Sequence, residues 1–199
     1  RYALDGTVQS TTFPNAGGLP AETVVHTYDE LLRPVRTSGL STYVTDSRHS
    51  LTGKPEQYEL STGGKKTWFT YAYEYGTQRL ASSRVDREDV SGADREVTYG
   101  YDPAGNITAI SEVSRTGTET QCFRYDHLRR LTEAWTQGTR TCAPAPSPSV
   151  VGGVQPYWQS FAYDVTGNRV REVHHGVGGA ADTVRDYAYP DPGDPQPHA

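Results

Sequence analysis

Tyr99-Gly-Tyr-Asp-Pro-Ala-Gly-Asn-Ile107 and Phe161-Ala-Tyr-Asp-Val-Thr-Gly-Asn-Arg169 are two copies of one local pattern. Each reads as strand, turn, strand. In aromatic-x-Tyr, side chains two apart share one face of a strand, so both rings lie together. The Asp that follows opens a turn, because its carboxylate accepts hydrogen bonds from backbone N–H groups two residues on. Pro103 suits the second turn position, with φ already near the value required. Gly105 and Gly167 suit a position of positive φ, as in a type I turn closed by a bulge. Asn106 and Asn168 then lead back into a strand.

Working outward, Phe123-Arg-Tyr-Asp-His-Leu-Arg-Arg-Leu131 repeats the pattern without glycine, so Arg129 must take an unusual conformation or the turn must differ. His26-Thr-Tyr-Asp-Glu-Leu-Leu-Arg-Pro34 keeps Tyr28 and Asp29. Two degenerate copies fill the gap. Thr45-Asp-Ser-Arg-His-Ser-Leu51 keeps an Asp-to-Leu spacing, and Tyr73-Glu-Tyr-Gly-Thr-Gln-Arg-Leu80 keeps paired tyrosines with a shorter turn. Glycine turns alternate with these units, at Thr37-Ser-Gly39, Ser61-Thr-Gly-Gly64, Val90-Ser-Gly-Ala93, Arg115-Thr-Gly-Thr118 and Gly176-Val-Gly-Gly-Ala180. Alternation of two turn classes implies an antiparallel meander of 12–14 strands, with Tyr-Asp turns along one edge and variable loops along the other. At the start of the chain, Asp5-Gly6 reads as a hairpin between two short strands.

Composition agrees with an all-β chain. Leu, Ile, Val and Phe number 33 of 199 residues, a share of about 17% that ordinarily warns of disorder. Here net charge is only −5, and 14 Tyr and 24 Thr supply residues suited to pleated, half-buried surfaces. Twenty Gly and 13 Pro with so few Leu exclude a helical bundle. No apolar run is long enough for a membrane span, and no basic surplus supports nucleic-acid binding. Residues 1–189 are expected to form one β-sheet segment, with a Pro/Gly-rich insertion at 143–156 and a Pro-rich connector at 190–199. The absence of Met and the start at Arg1 suggest a fragment of a larger protein.

The recurring Tyr-Asp-x-x-Gly-Asn/Arg unit resembles the YD repeat of the RHS family over roughly residues 20–175. Relatives in that family include bacterial wall-associated polymorphic toxins, the C component of insecticidal toxin complexes and the extracellular barrel of teneurins. The positions that match best are Tyr101, Asp102, Gly105, Asn106, Tyr125, Asp126, Tyr163, Asp164, Gly167 and Asn168. The resemblance implies a segment of a long sheet that curls into a hollow shell enclosing a C-terminal effector. The implied role is structural and non-enzymatic, in a secreted or cell-surface bacterial protein. The partners implied are the remainder of the same polypeptide and its effector. The family's self-cleaving aspartyl protease motif has no match in Asp191-Pro-Gly-Asp-Pro195.

Candidate sites weigh towards structure. Asp102, Asp126 and Asp164 each open a turn at the same place in a repeat, so turn capping outweighs catalysis or metal binding. His174 and His175 are adjacent and should point to opposite faces. No metal, phosphate or calcium motif occurs, and no cofactor is expected. Cys122 and Cys142 flank one hairpin and form either a disulfide or two separate thiols; we expect the bridge, which favours an exported protein. Tyr71, Tyr73, Tyr75, Tyr99, Tyr101, Tyr125, Tyr163 and Trp158 make an aromatic ladder whose default role is cross-strand packing. Exposed aromatics also support an alternative function, a module binding carbohydrate or a cell surface. The N-terminal edge lacks protective prolines, so edge-to-edge self-association is expected of the isolated chain.

Overall fold

The computed structural model describes residues 1–190 and Gly193. Fourteen strands follow one another in chain order as an antiparallel meander, and no helix occurs among the described residues. The expected all-β class and strand count are therefore observed. Two compact units divide the chain, residues 1–96 and 97–199. The first holds β1 (Ser10–Phe13), β2 (Glu22–Tyr28), β3 (Pro34–Ser38), β4 (Thr42–His49), β5 (Pro55–Thr62), β6 (Lys65–Tyr73) and β7 (Leu80–Arg87). Next in order is β8 (Arg95–Tyr101). The second unit continues with β9 (Ile107–Ser114), β10 (Gly117–Tyr125), β11 (Leu131–Gln137), β12 (Trp158–Tyr163), β13 (Arg169–His174) and β14 (Thr183–Asp186).

The two turn classes separate as the alternation requires. Within the first unit the turns after β2, β4 and β6 share one edge, and the loops after β3 and β5 lie on the other. Within the second unit the turns opened by Asp102, Asp126 and Asp164 share an edge. The β5–β6 connection is a tight glycine pair, Gly63 and Gly64 at φ 57° and 81°, the geometry that matches strand twist in a two-residue hairpin. Sheet register slips by one residue at four of the tyrosine positions: between Thr27 and Tyr28, Ala72 and Tyr73, Arg124 and Tyr125, and Ala162 and Tyr163. That slip is the bulge expected beside a residue of positive φ.

A single layer of strands buries little. The fully covered apolar side chains among the described residues are Val97, Cys122, Ala134 and Trp135. Three of these lie on β10 and β11, beneath the segment 138–157. That segment contains the expected insertion, and it folds back as a strap. Trp135 is 2% exposed, and its indole N–H donates to Gln137 Oε1 at 3.0 Å. The same oxygen accepts the Ala143 N–H at 2.6 Å. Thr120 Oγ1 donates to the Thr139 carbonyl at 2.6 Å, and the Gly152 N–H to the Thr136 carbonyl at 3.0 Å. The buried polar groups of the strap thus find partners, as burial requires. The expected disulfide is present, joining Cys122 on β10 to Cys142 in the strap with Cα atoms 5.8 Å apart.

Candidate functional site

The repeated feature on which all the geometry converges is the Tyr-Asp turn. At Asp126, the backbone N–H donates to the Arg130 carbonyl at 3.0 Å and its carbonyl accepts the Arg129 N–H at 2.9 Å. Its Oδ1 accepts the N–H groups of Leu128 and Arg130 at 2.8 and 3.0 Å, and its Oδ2 accepts Arg130 Nε at 2.7 Å. Asp29 repeats this with Leu31 and Arg33. Asp164 repeats it with Thr166 and Asn168, and at Asp102 the Asn106 N–H and side-chain amide donate to Oδ1 and Oδ2. One carboxylate oxygen therefore ties the backbone of the turn, and the other ties the side chain four residues on. The residue before that one has positive φ in every copy: Leu32 60°, Gly105 93°, Arg129 62° and Gly167 96°. Arg129 accordingly adopts the unusual conformation, and the turn is the same with or without glycine.

Within each unit, neighbouring turns are also latched to one another. Tyr125 Oη donates to the Ile107 carbonyl at 2.9 Å, and Tyr163 Oη to the Leu131 carbonyl at 2.8 Å. Both acceptors are the first residue after the preceding turn. Tyr28 reaches Val8, Tyr73 reaches Pro55 and Tyr189 reaches Arg169 in the same way. Cations run the opposite way. Arg130 Nη1 donates to the Asp164 carbonyl at 3.0 Å while its guanidinium covers the Tyr163 ring at 4.8 Å. Arg33 Nη1 donates to the Ser50 carbonyl at 3.0 Å. Lys54 donates to the Gln78 carbonyl and lies 4.8 Å from the Tyr73 ring centre.

These bonds correct the two degenerate copies. The second turn opens at Ser50, four residues after Asp46, which instead lies within β4. Ser50 Oγ accepts the Lys54 N–H at 3.1 Å, Gly53 supplies φ 84°, and His49 pairs with Pro55 as Tyr125 pairs with Leu131. The third turn opens at Glu74 and is one residue longer than the others, since Tyr73 pairs with Leu80; Gln78 takes φ 58°. Tyr75 is 98% exposed at its tip. The Asp5-Gly6 hairpin is a further copy of the turn rather than two strands. Tyr2 bridges Val8, the Gly6 N–H donates to Ala3, and Asp5 replaces the missing carboxylate by accepting the Thr7 N–H at 2.9 Å.

The environment keeps these carboxylates ionised. Asp29 and Asp126 sit below the usual carboxylate range, chiefly because the backbone N–H groups of Arg33 and Arg130 donate to them. Asp102 is lowered first by the Asn106 side chain. At Asp164 burial pushes upward, but donors from Thr166 and Asn168 outweigh it and hold the group at about 2. An acceptor whose lone pairs are committed to turn donors is poorly suited to act as a general acid. In the first unit Glu59 is a comparable hub, also held at about 2 by Lys66, Thr45 and Trp68.

The remaining residues of interest divide. His174 and His175 do point apart: His174 faces Glu172 and Gln159, whereas His175 faces Ser160 and Asp182. Within the aromatic set, Tyr58 and Tyr71 meet edge to face with centres 6.2 Å apart. Trp158 stacks on His175 at 3.8 Å. No group of three or more metal-ligating side chains occurs among the described residues. Among the described residues, no helix is long and apolar enough to cross a membrane. The connector expected at 190–199 falls almost wholly outside the described residues.

Latched Tyr-Asp turns repeat along an antiparallel meander, and the chain is similar to toxin-complex proteins of the RHS/YD-repeat kind. No family model matches it. It is 31% identical over 133 residues to toxin subunit YenC2 of Yersinia entomophaga, a match covering 56% of this chain and 14% of that subunit. Two solved structures share the fold. One is a Photorhabdus luminescens Tc holotoxin pore carrying a TccC3 variant, at TM-score 0.72 and 18% identity, covering 92% of this chain and 9% of that one. The other is a TcdB2–TccC3–Cdc42 complex, at TM-score 0.67 and 19% identity, covering 85% and 9%. The chain thus spans a small part of each relative's length.

Proposed function

We propose that this chain is a structural strip of an RHS-type shell, in a secreted or surface protein whose sheet encloses a C-terminal effector. The observation that carries the reading is the two-way latch. Tyrosine hydroxyls bind back to the preceding turn and cations bind forward to the next, so neighbouring hairpins are held independently of a buried core. A wall one layer thick needs such a device, because each strand contacts only its neighbours. Similarity to toxin subunits many times longer supports a strip rather than a complete enclosure. Partners on this reading are the flanking polypeptide and the enclosed effector, and the chain itself contributes no catalysis to that role.

Protease protection tests the reading. In the polypeptide that carries this chain, the effector segment should resist protease under native conditions. It should become sensitive when Tyr125→Phe and Tyr163→Phe together loosen the turn edge. Equal sensitivity before and after substitution would overturn it. A second reading rests on Tyr75, which stands exposed beside a hollow of about 690 Å³ that Arg48, Gln57 and Tyr73 help to line. Aromatic and amide groups together suit a sugar ring. Binding on a glycan array that Tyr75→Ala abolishes would favour this carbohydrate module.

A further inference from the structure

Register in the second unit assembles three residues far apart in sequence. Ser160 lies on β12, His175 directly follows β13, and Asp182 directly precedes β14. Gln159 pairs with His174 and His174 with Thr183, so His175 lies opposite Trp158 and Asp182, while Ser160, which pairs with Val173, sits diagonally across from His175 on the same face as Trp158. Ser160 Oγ is 2.9 Å from His175 Nε2. His175 Nδ1 is 3.1 Å from Asp182 Oδ2. The other carboxylate oxygen, Oδ1, accepts the Gly176 N–H at 2.9 Å and so fixes the carboxylate's orientation. One ring nitrogen faces the carboxylate and the other faces the hydroxyl. That order of carboxylate, imidazole and hydroxyl is what an activated serine requires, and it is recognised by geometry rather than by sequence position.

Two further observations bear on the site. The Trp158 ring stacks on His175 at 3.8 Å with an angle of 26° between planes, which fixes the imidazole from the adjacent strand. The Trp158 indole N–H is buried and, among the described residues, has no acceptor. An orphaned buried donor calls for explanation, and a bound molecule bringing an oxygen would supply one. The nearest acid on the neighbouring strand, Glu133 opposite Ser160, is paired with Arg124 at 3.0 Å and does not compete for His175. His175 keeps 19% and Asp182 51% side-chain exposure, so the group is open to solvent.

We propose that Ser160 is an acylable nucleophile, with His175 as its general base and Asp182 as a positioning residue, taking an acyl group from an activated ester or thioester. Ser160 Oγ bonds to the carbonyl carbon while its proton passes to His175 Nε2. The carbon–oxygen or carbon–sulfur bond to the leaving group then breaks, and the leaving alcohol or thiol departs with that proton. Water, activated by the same nitrogen, returns the serine by hydrolysis of the acyl ester. This activity is independent of the wall-forming role.

The folded chain is incubated with a fluorophosphonate probe, and adducts are located by peptide mass spectrometry. Ser160 should react roughly a hundredfold faster than in the same chain unfolded in urea. His175→Gln should remove most of that advantage. Asp182→Asn still accepts the Gly176 N–H but loses the charge, and it should slow labelling while leaving amide-exchange protection of β12 and β13 unchanged. Asp182→Glu should restore part of the rate. Ser160 labelling no faster in the folded than in the unfolded chain would overturn the proposal, a comparison that needs no variant to fold. Equal labelling of the parent and of a folded His175→Gln chain would also overturn it.

Discussion

Removing the bridge between β10 and the strap, by Cys122→Ala with Cys142→Ala, should loosen one region and leave the rest intact. The half-cystines are 20 residues apart. In the chain-entropy account a closed loop of that length contributes about 3 kcal/mol. Besides the bridge, the strap over Trp135 depends on the bonds from Thr120 to Thr139, from Ala143 to Gln137 and from Gly152 to Thr136. A loss of about 3 kcal/mol raises the equilibrium constant for strap opening by roughly a hundredfold. Native-state amide exchange, read by mass spectrometry, reports that opening. The Thr136 and Gly152 amides donate across the strap and should exchange roughly a hundredfold faster. Peptides from β5 and β6 should keep their rates, because in a meander each strand is supported by its neighbours. Acceleration below about threefold at Thr136 would refute the claim that the bridge governs the strap. Equal acceleration in β5 and β6 would refute the claim that stability is local.

Tyr125→Phe leaves the Ile107 carbonyl without its hydroxyl donor and should destabilise the second unit by about 1 kcal/mol in urea titration. Gly167→Ala meets no neighbouring atom, so its penalty is backbone strain alone, about 1–2 kcal/mol at φ 96°. At the equivalent position Arg129→Gly should have the opposite sign, a gain below about 1 kcal/mol after glycine's entropy is counted; thermal melts compare the two. Glu59 has its carboxyl lowered from 4.5 to about 2, so it adds stability above its unfolded value that fades as pH falls towards the folded one. The stability gap between the parent and Glu59→Gln should therefore be full at neutral pH and close between pH 4.5 and about 2, read by acid titration of circular dichroism. The isolated chain should self-associate through its N-terminal edge, and a clean monomer on sedimentation at micromolar concentrations would contradict that.

The four turns led by aspartate were legible because one side chain does two jobs at a fixed spacing. A carboxylate at the first position ties the backbone, and Gly-Asn, Arg-Arg or Leu-Arg closes the turn. The misplaced turn shows what the letters conceal. Asp46 has the expected residue type but sits within a strand, whereas Ser50 has the required geometry: a short acceptor, a residue of positive φ three later, and a cation after that. The physical motif is acceptor, three residues, donor. Asp is one way to supply the acceptor, Ser another, and at Ala3 the acceptor moves to Asp5. The glycine rule fails for the same reason, since Leu32, Gln78 and Arg129 reach positive φ where the bonds on either side impose it.

What was not legible depends on register and on backbone partners. The prolines and glycines of the insertion announced a loop, but its docking onto β10 and β11 uses the carbonyls of Thr136 and Thr139 and the amides of Ala143 and Gly152, which carry no residue-specific signal. The serine, histidine and aspartate of the proposed nucleophilic site are separated by 15 and 7 residues, and no spacing rule connects them. They meet because the bulge at Tyr163 sets the pairing of β12 with β13, which in turn sets β14. Losing that bulge, and with it one residue of register, would send His175 to the opposite face from Ser160. The Tyr-Asp turn is therefore more than a wall fitting: the bulge it fixes decides which side chains across the next three strands can touch.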